Sequence, residues 1–164
     1  MASIDLAQYF FDTSALVKRY HKEDGTEQVR DLFAPTENLI RISTLGVVEI
    51  HSALAIKVRS GQLTRGAAQI LTDGVLADLA SGRVKPYSVT DWHYADAERM
   101  IRQFSYDHRL RSLDAVQLSV ALDLRSQGLA DSIVTADQTI QDVAGLVGLA
   151  AINPQGNYPA STST

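Results

Sequence analysis

The chain has 164 residues (17.9 kDa), 45% of them hydrophobic and 21% charged, proportions that fit one globular domain and exclude a disordered or fibrous chain. Its net charge of −4 lies wholly in the last third: residues 1–113 hold fourteen basic and fourteen acidic side chains, and from Asp114 onward Arg125 faces Asp114, Asp123, Asp131, Asp137 and Asp142. A global electrostatic footprint for nucleic acid is therefore absent, and with no Cys there is no disulfide, zinc ribbon or thiol nucleophile.

The first apolar run, 8–11, reads as a buried strand ended by Asp12. Helices are predicted over 13–20 and 27–33, broken by Gly25-Thr26 and stopped at Pro35. A second strand spans 39–43. Thr44 is placed to cap a helix running to about Ser60, with Gly61 as its terminator. A third amphipathic helix covers 64–79, and 84–89 reads as a weak strand that Pro86 confines to an edge. Asp91 is placed to cap a helix through Phe104, with Trp92 in the core, and Ser112 to cap one toward Gly128. A strand at 132–135, a short helix after Asp137 and a last strand over 146–152 follow, and 153–164 reads as a disordered polar tail. Strands alternating with helices predict an α/β domain over 1–152, a mostly parallel sheet covered on both faces. The N-terminal stretch lacks a basic n-region and no window reaches the apolar length of a membrane span, so the expectation is a cytoplasmic protein.

Ligands of open α/β sheets bind beyond the carboxyl ends of the strands. Asp12 closes the first strand, Glu49 lies in the second turn after the second, Asp137 follows the 132–135 strand, and Asp114 is in a first helical turn. Taken singly, Asp12 reads as a helix N-cap, Asp114 as an acid favourable to a helix dipole, and Asp137 as a turn or capping residue. Glu49, flanked by Leu45, Val47, Val48 and Ile50, stands where a solvated acid is not expected. If all four share one sheet edge, carboxylates ~5 Å apart repel by roughly 3 kcal/mol at an effective dielectric near 20. They must then take up protons, pair with bases or hold a cation. No Lys or Arg lies immediately beside Asp114 or Asp137, and carboxylate oxygens suit Mg²⁺ or Mn²⁺.

The segment Tyr9-Phe10-Phe11-Asp12-Thr13-Ser14-Ala15-Leu16 resembles the opening strand and Asp-x-Ser turn of PIN-domain ribonucleases, especially VapC-type toxins. Val48-Glu49-Ile50-His51 resembles their Glu-bearing helix, Leu113-Asp114-Ala115-Val116-Gln117 their third motif, and Ile133-Val134-Thr135-Ala136-Asp137 their fourth. The resemblance implies a PIN-like three-layer fold and an acidic quartet of Asp12, Glu49, Asp114 and Asp137 holding one or two Mg²⁺ or Mn²⁺ ions. It further implies endoribonuclease activity, supporting hydroxyls from Ser14 and Thr135, a homodimer, and a cognate antitoxin.

Basic residues offer candidate phosphate contacts: Lys18 just after the Asp12 turn, and Arg109 and Arg111 leading to Asp114 beside Tyr106 and His108. Singly, each reads first as a solvated surface residue. Two rival readings remain. One is a haloacid-dehalogenase-like phosphohydrolase with Asp12 as nucleophile, disfavoured because Ser14 stands where that class usually places a second Asp; the other is a non-catalytic PIN-like binding module.

Overall fold

The computed structural model describes residues 6–156. Five strands, β1 (Gln8–Phe11), β2 (Leu39–Ser43), β3 (Val84–Tyr87), β4 (Ser132–Val134) and β5 (Ala150–Ile152), form one parallel sheet in the order β3-β2-β1-β4-β5. The helices among the described residues are α1 (Thr13–Tyr20), α2 (Thr26–Phe33), α3 (Thr44–Arg59), α4 (Arg65–Ala80), α5 (Asp91–Phe104), α6 (Ser112–Ser126) and α7 (Gln138–Leu146). None of them is long and apolar enough to cross a membrane.

Successive residues of a strand face opposite sides of a sheet, and β1 shows what that does here. Phe10 packs with Ile133 against α5, α6 and α7, whereas Phe11 packs with Ile40, Ile42 and Val134 against α1 to α4. Both phenylalanines are fully buried, which is why the strand reads as an unbroken apolar run. The result is the three-layer, PIN-like α/β architecture expected from the alternation of elements. Pro86 sits in β3 at the sheet edge, paired in register with Ile42, as its missing N–H requires.

Several boundaries differ from the expectation. Ser43, not Thr44, caps α3: its Oγ accepts from the Gly46 N–H at 2.8 Å, while the Thr44 hydroxyl accepts from the Val89 N–H. Thr90 rather than Asp91 is the N-cap of α5, where its N–H donates to His93 Nδ1 at 2.9 Å. Arg111, not Ser112, occupies the N-cap of α6, and the Asp114 carboxylate accepts its N–H at 3.1 Å. The final strand begins only at Ala150, because Leu146 ends α7 and Gly148 turns the chain at φ +74°. Trp92 is 60% exposed instead of in the core: α5 buries His93, Ala97 and Met100, and Trp92 falls off that stripe. Of the polar segment 153–164, residues 157–164 lie outside the described residues, and Pro154 is buried with its carbonyl against Gly25.

Candidate active site

Because every strand pair is parallel, the carboxyl ends of β1, β2 and β4 open on one edge, and the site is built there. Asp12 extends the β1–β4 ladder by one bond, its N–H donating to the Val134 carbonyl at 3.0 Å. Its carboxylate does not cap α1, although Asp12 stands at the N-cap position. Oδ2 instead accepts from the Ser14 hydroxyl at 2.5 Å and from the Thr135 hydroxyl at 2.9 Å. Those hydroxyls are oriented in turn, since Ser14 Oγ accepts from the Ala136 N–H and Thr135 Oγ1 from the Asp137 N–H. One buried acid at the end of β1 is thereby tied to the loop that carries Asp137. That loop enters α7, where Asp137 Oδ1 caps the helix by accepting from the Ile140 N–H at 3.1 Å.

Glu49 arrives from α3 and is held by two neutral donors. Its Oε2 accepts from the Thr13 hydroxyl at 3.1 Å and from Gln117 Nε2 at 2.5 Å. Gln117 is buried on α6, three residues after Asp114, and its Oε1 accepts from the Ser43 hydroxyl at 2.8 Å. A relay from Gly46 through Ser43 and Gln117 thus fixes Glu49 to both α3 and α6. Sequence reading did not assign roles to Thr13 and Gln117. A usable signal was present in Gln117, a polar residue inside the apolar run Ala115–Ala121 and on the face of α6 that carries Asp114.

Asp114 is engaged by Arg111, which the sequence brings to the site as a candidate phosphate contact and which the structure pairs with the acids instead. Arg111 Nε donates to Asp114 Oδ2 at 2.9 Å and Nη2 to Oδ1 at 3.2 Å, a two-pronged contact, and Nη2 also reaches Asp137 Oδ2 at 3.3 Å. These carboxylates, with the charge of Asp12 behind them, raise the Arg111 pKa further above its ordinary value. The Asp12 carboxyl is pushed above the usual carboxylate range, chiefly by desolvation, with the nearby negative charge of Glu49 adding to the shift against its hydroxyl hydrogen bonds.

All four predicted acids therefore stand at the same sheet edge: Thr135 joins Asp12 to Asp137, Arg111 joins Asp137 to Asp114, and Glu49 lines a depression with Asp114. Ser14 and Thr135 both contact Asp12. Among the described residues no three His, Asp or Glu side chains form a set that could hold a metal ion as they stand. The donor chemistry nevertheless fits a hard divalent cation. Oxygen ligands suit it, and the four carboxylates supply them at one sheet edge, Asp12 from the end of β1, Glu49 from α3, Asp114 from α6 and Asp137 from the loop into α7.

The expected basic contacts divide. Lys18 is only 4% exposed and its ammonium lies 3.2 Å from Glu23, which also takes Lys57, so it is not free for a substrate phosphate. Arg99 and Arg102 pair with Asp96 and Glu98 on their own helix. Arg109 is exposed and lines a depression with Arg111, Asp137 and Thr139. A second depression is lined by Glu49, Arg111, Ser112, Leu113 and Asp114, so Arg111 borders both. A more capacious concavity between α3 and α4, lined in part by His51, Val58, Arg59 and Arg65, includes none of the four acids.

Known proteins agree with this architecture. No curated protein sequence matches the chain. Among solved structures it is similar to PAE2754 of Pyrobaculum aerophilum, at 22% identity over 83% of this chain and 78% of that one, with a TM-score of 0.58. It is similar to VapC20 of Mycobacterium tuberculosis, described as a sarcin–ricin loop cleaving toxin, at 18% identity, 82% and 94% coverage and a TM-score of 0.61. It also resembles a chain of VapBC2 from Rickettsia felis, solved with a DNA fragment from its promoter, at 17% identity, 88% and 97% coverage and a TM-score of 0.60. The family model for the PIN domain matches residues 9–146, most of the chain. With the fold, the match and the acids at one sheet edge in agreement, the chain belongs to the PIN domain family.

Proposed function

We propose that this PIN-domain nuclease is a Mg²⁺- or Mn²⁺-dependent endoribonuclease and the toxin of a toxin–antitoxin pair. The observation that carries the reading is the buried Asp12, held by Ser14 and Thr135 at the same edge that gathers Glu49, Asp114 and Asp137. Membership of a nuclease family makes phosphodiester hydrolysis the reaction class. RNA is the proposed substrate by likeness to the sarcin–ricin loop cleaving toxin, and an antitoxin the proposed partner by likeness to VapBC2. A homodimer in the cytoplasm completes the proposal, and the exposed apolar side chains Val48, Ile56, Ile70 and Leu76 on α3 and α4 offer surface for a partner chain.

In this reading Asp12, Glu49, Asp114 and Asp137 hold the cation. When bound, the cation polarises a phosphoryl oxygen and makes water a competent nucleophile near neutral pH. The rest falls to the chain. Ser14 and Thr135 keep one oxygen of Asp12 occupied and so fix which way its carboxylate faces. Thr13 and Gln117 do the same for Glu49, and the exposed Arg109 positions a substrate phosphate at the rim.

The test is cleavage of single-stranded and structured RNA by purified protein with Mg²⁺, Mn²⁺ or EDTA. Asp12→Asn and Asp114→Asn are expected to retain the wild-type circular dichroism spectrum and to lose activity by about a hundredfold or more. Wild-type rates in either variant, or cleavage that survives EDTA, would refute the assignment.

A further inference from the structure

We propose that Arg111 is a built-in counter-cation. Its guanidinium neutralises Asp114 and Asp137 in the metal-free protein and has to leave them before a divalent ion takes the site. The inference rests on the metal-dependent reading above and adds to it a competitor carried by the chain itself.

The oxygen-by-oxygen arrangement supports it. Each of the two carboxylates has one oxygen anchored by a backbone N–H: Asp114 Oδ2 by Arg111 and Asp137 Oδ1 by Ile140. The other oxygen of each, Asp114 Oδ1 and Asp137 Oδ2, is covered by the same atom, Arg111 Nη2. Swinging the guanidinium away therefore leaves both backbone anchors in place and frees one oxygen on each acid. The acids are the fixed partners and the base is the mobile one: the Arg111 side chain is 74% exposed, against 10% for Asp114 and 27% for Asp137. An exposed guanidinium is weakly held, and Arg111 borders an open depression that it shares with Arg109, Asp137 and Thr139. An arginine does not lose its proton at any ordinary pH, so only another cation can displace it.

The experiment is calorimetric titration of Mn²⁺ alone, without RNA, into wild type, Arg111→Ala and Arg111→Lys, with thermal melts of each in EDTA and in saturating Mn²⁺. Arg111→Ala is expected to bind Mn²⁺ a few-fold to about tenfold more tightly, to melt lower than wild type in EDTA, and to recover most of that deficit in Mn²⁺. Arg111→Lys, with one compact charge in place of the two-pronged contact, falls between them and guards against a folding defect in the alanine variant. If the variants bind Mn²⁺ no more tightly than wild type, the counter-cation role is overturned while the metal reading stands. If none of the three proteins binds Mn²⁺ at millimolar concentration, both are overturned.

Discussion

Gln117→Leu isolates the buried relay that holds Glu49. Leucine is close to glutamine in size, so the change removes polarity and leaves little cavity. Two hydrogen bonds disappear: the one received from the Ser43 hydroxyl at 2.8 Å and the one given to Glu49 at 2.5 Å. A neutral bond is worth about 1 kcal/mol and one to a charged group about 1.5–3 kcal/mol. Burial of the added apolar surface returns part of this, giving a net loss of ~1.5–3 kcal/mol. For a domain of this size that lowers the melting temperature by about 3–12 °C. Urea and thermal melts in EDTA measure it free of any bound ion. Ser119→Ala is the matched control, because Ser119 lies on the same helix with a buried hydroxyl that has no hydrogen-bond partner, and its removal is expected to be neutral or mildly stabilising. A loss below about 1 kcal/mol for Gln117→Leu, or an equal loss for Ser119→Ala, would show that the relay does not stabilise the site as argued.

Two further outcomes follow from single residues. Burial, with Glu49 nearby, raises the folded-state pKa of Asp12 above its unfolded value near 3.9, so its contribution to stability is complete below that value and is lost as pH rises through the folded pKa. In EDTA, Asp12→Asn is therefore expected to melt above wild type by a margin that grows as pH rises from about 4; a margin independent of pH refutes the burial argument. Gly46→Ala sets helix propensity against packing. Gly46 lies in the first turn of α3, so the substitution gains less than the ~1 kcal/mol of a helix interior, and the new Cβ would lie 2.6 Å from Cγ1 and 2.8 Å from Cδ1 of the buried Ile42. Overpacking costs about 1–3 kcal/mol, so chemical denaturation should show net destabilisation, and a stabilised variant would mean that Ile42 yields freely.

What could be read from the chain depended on whether the cause was local. Strand β1 was legible because Phe10 and Phe11, buried on opposite faces, leave a continuous apolar run, and β2 because its isoleucines Ile40 and Ile42 alternate with Arg41 and Ser43. The four acids were legible because each follows a strand or opens a helix, where an α/β sheet presents its ligands. Their partners were not, since Thr135 reaches Asp12 across 123 residues and Gln117 reaches Glu49 across 68. Lys18 was misplaced for a nearer reason: its ammonium is taken by Glu23, five residues on, in the turn between α1 and α2. Cap positions slipped by one where two capping residues adjoin, as at Ser43-Thr44 and Thr90-Asp91, because backbone dihedrals decide which is the N-cap.

The central position of β1, between β2 and β4, carries a consequence for synthesis of the protein. Asp12 is made 123 residues before the Thr135 whose hydroxyl holds it, and the Asp137 that donates its N–H to that hydroxyl follows two residues later. A nascent or truncated chain ending before β4 cannot assemble the acidic centre, however well its earlier helices form. The acidic centre is thereby withheld until β4 and the loop into α7 have been made.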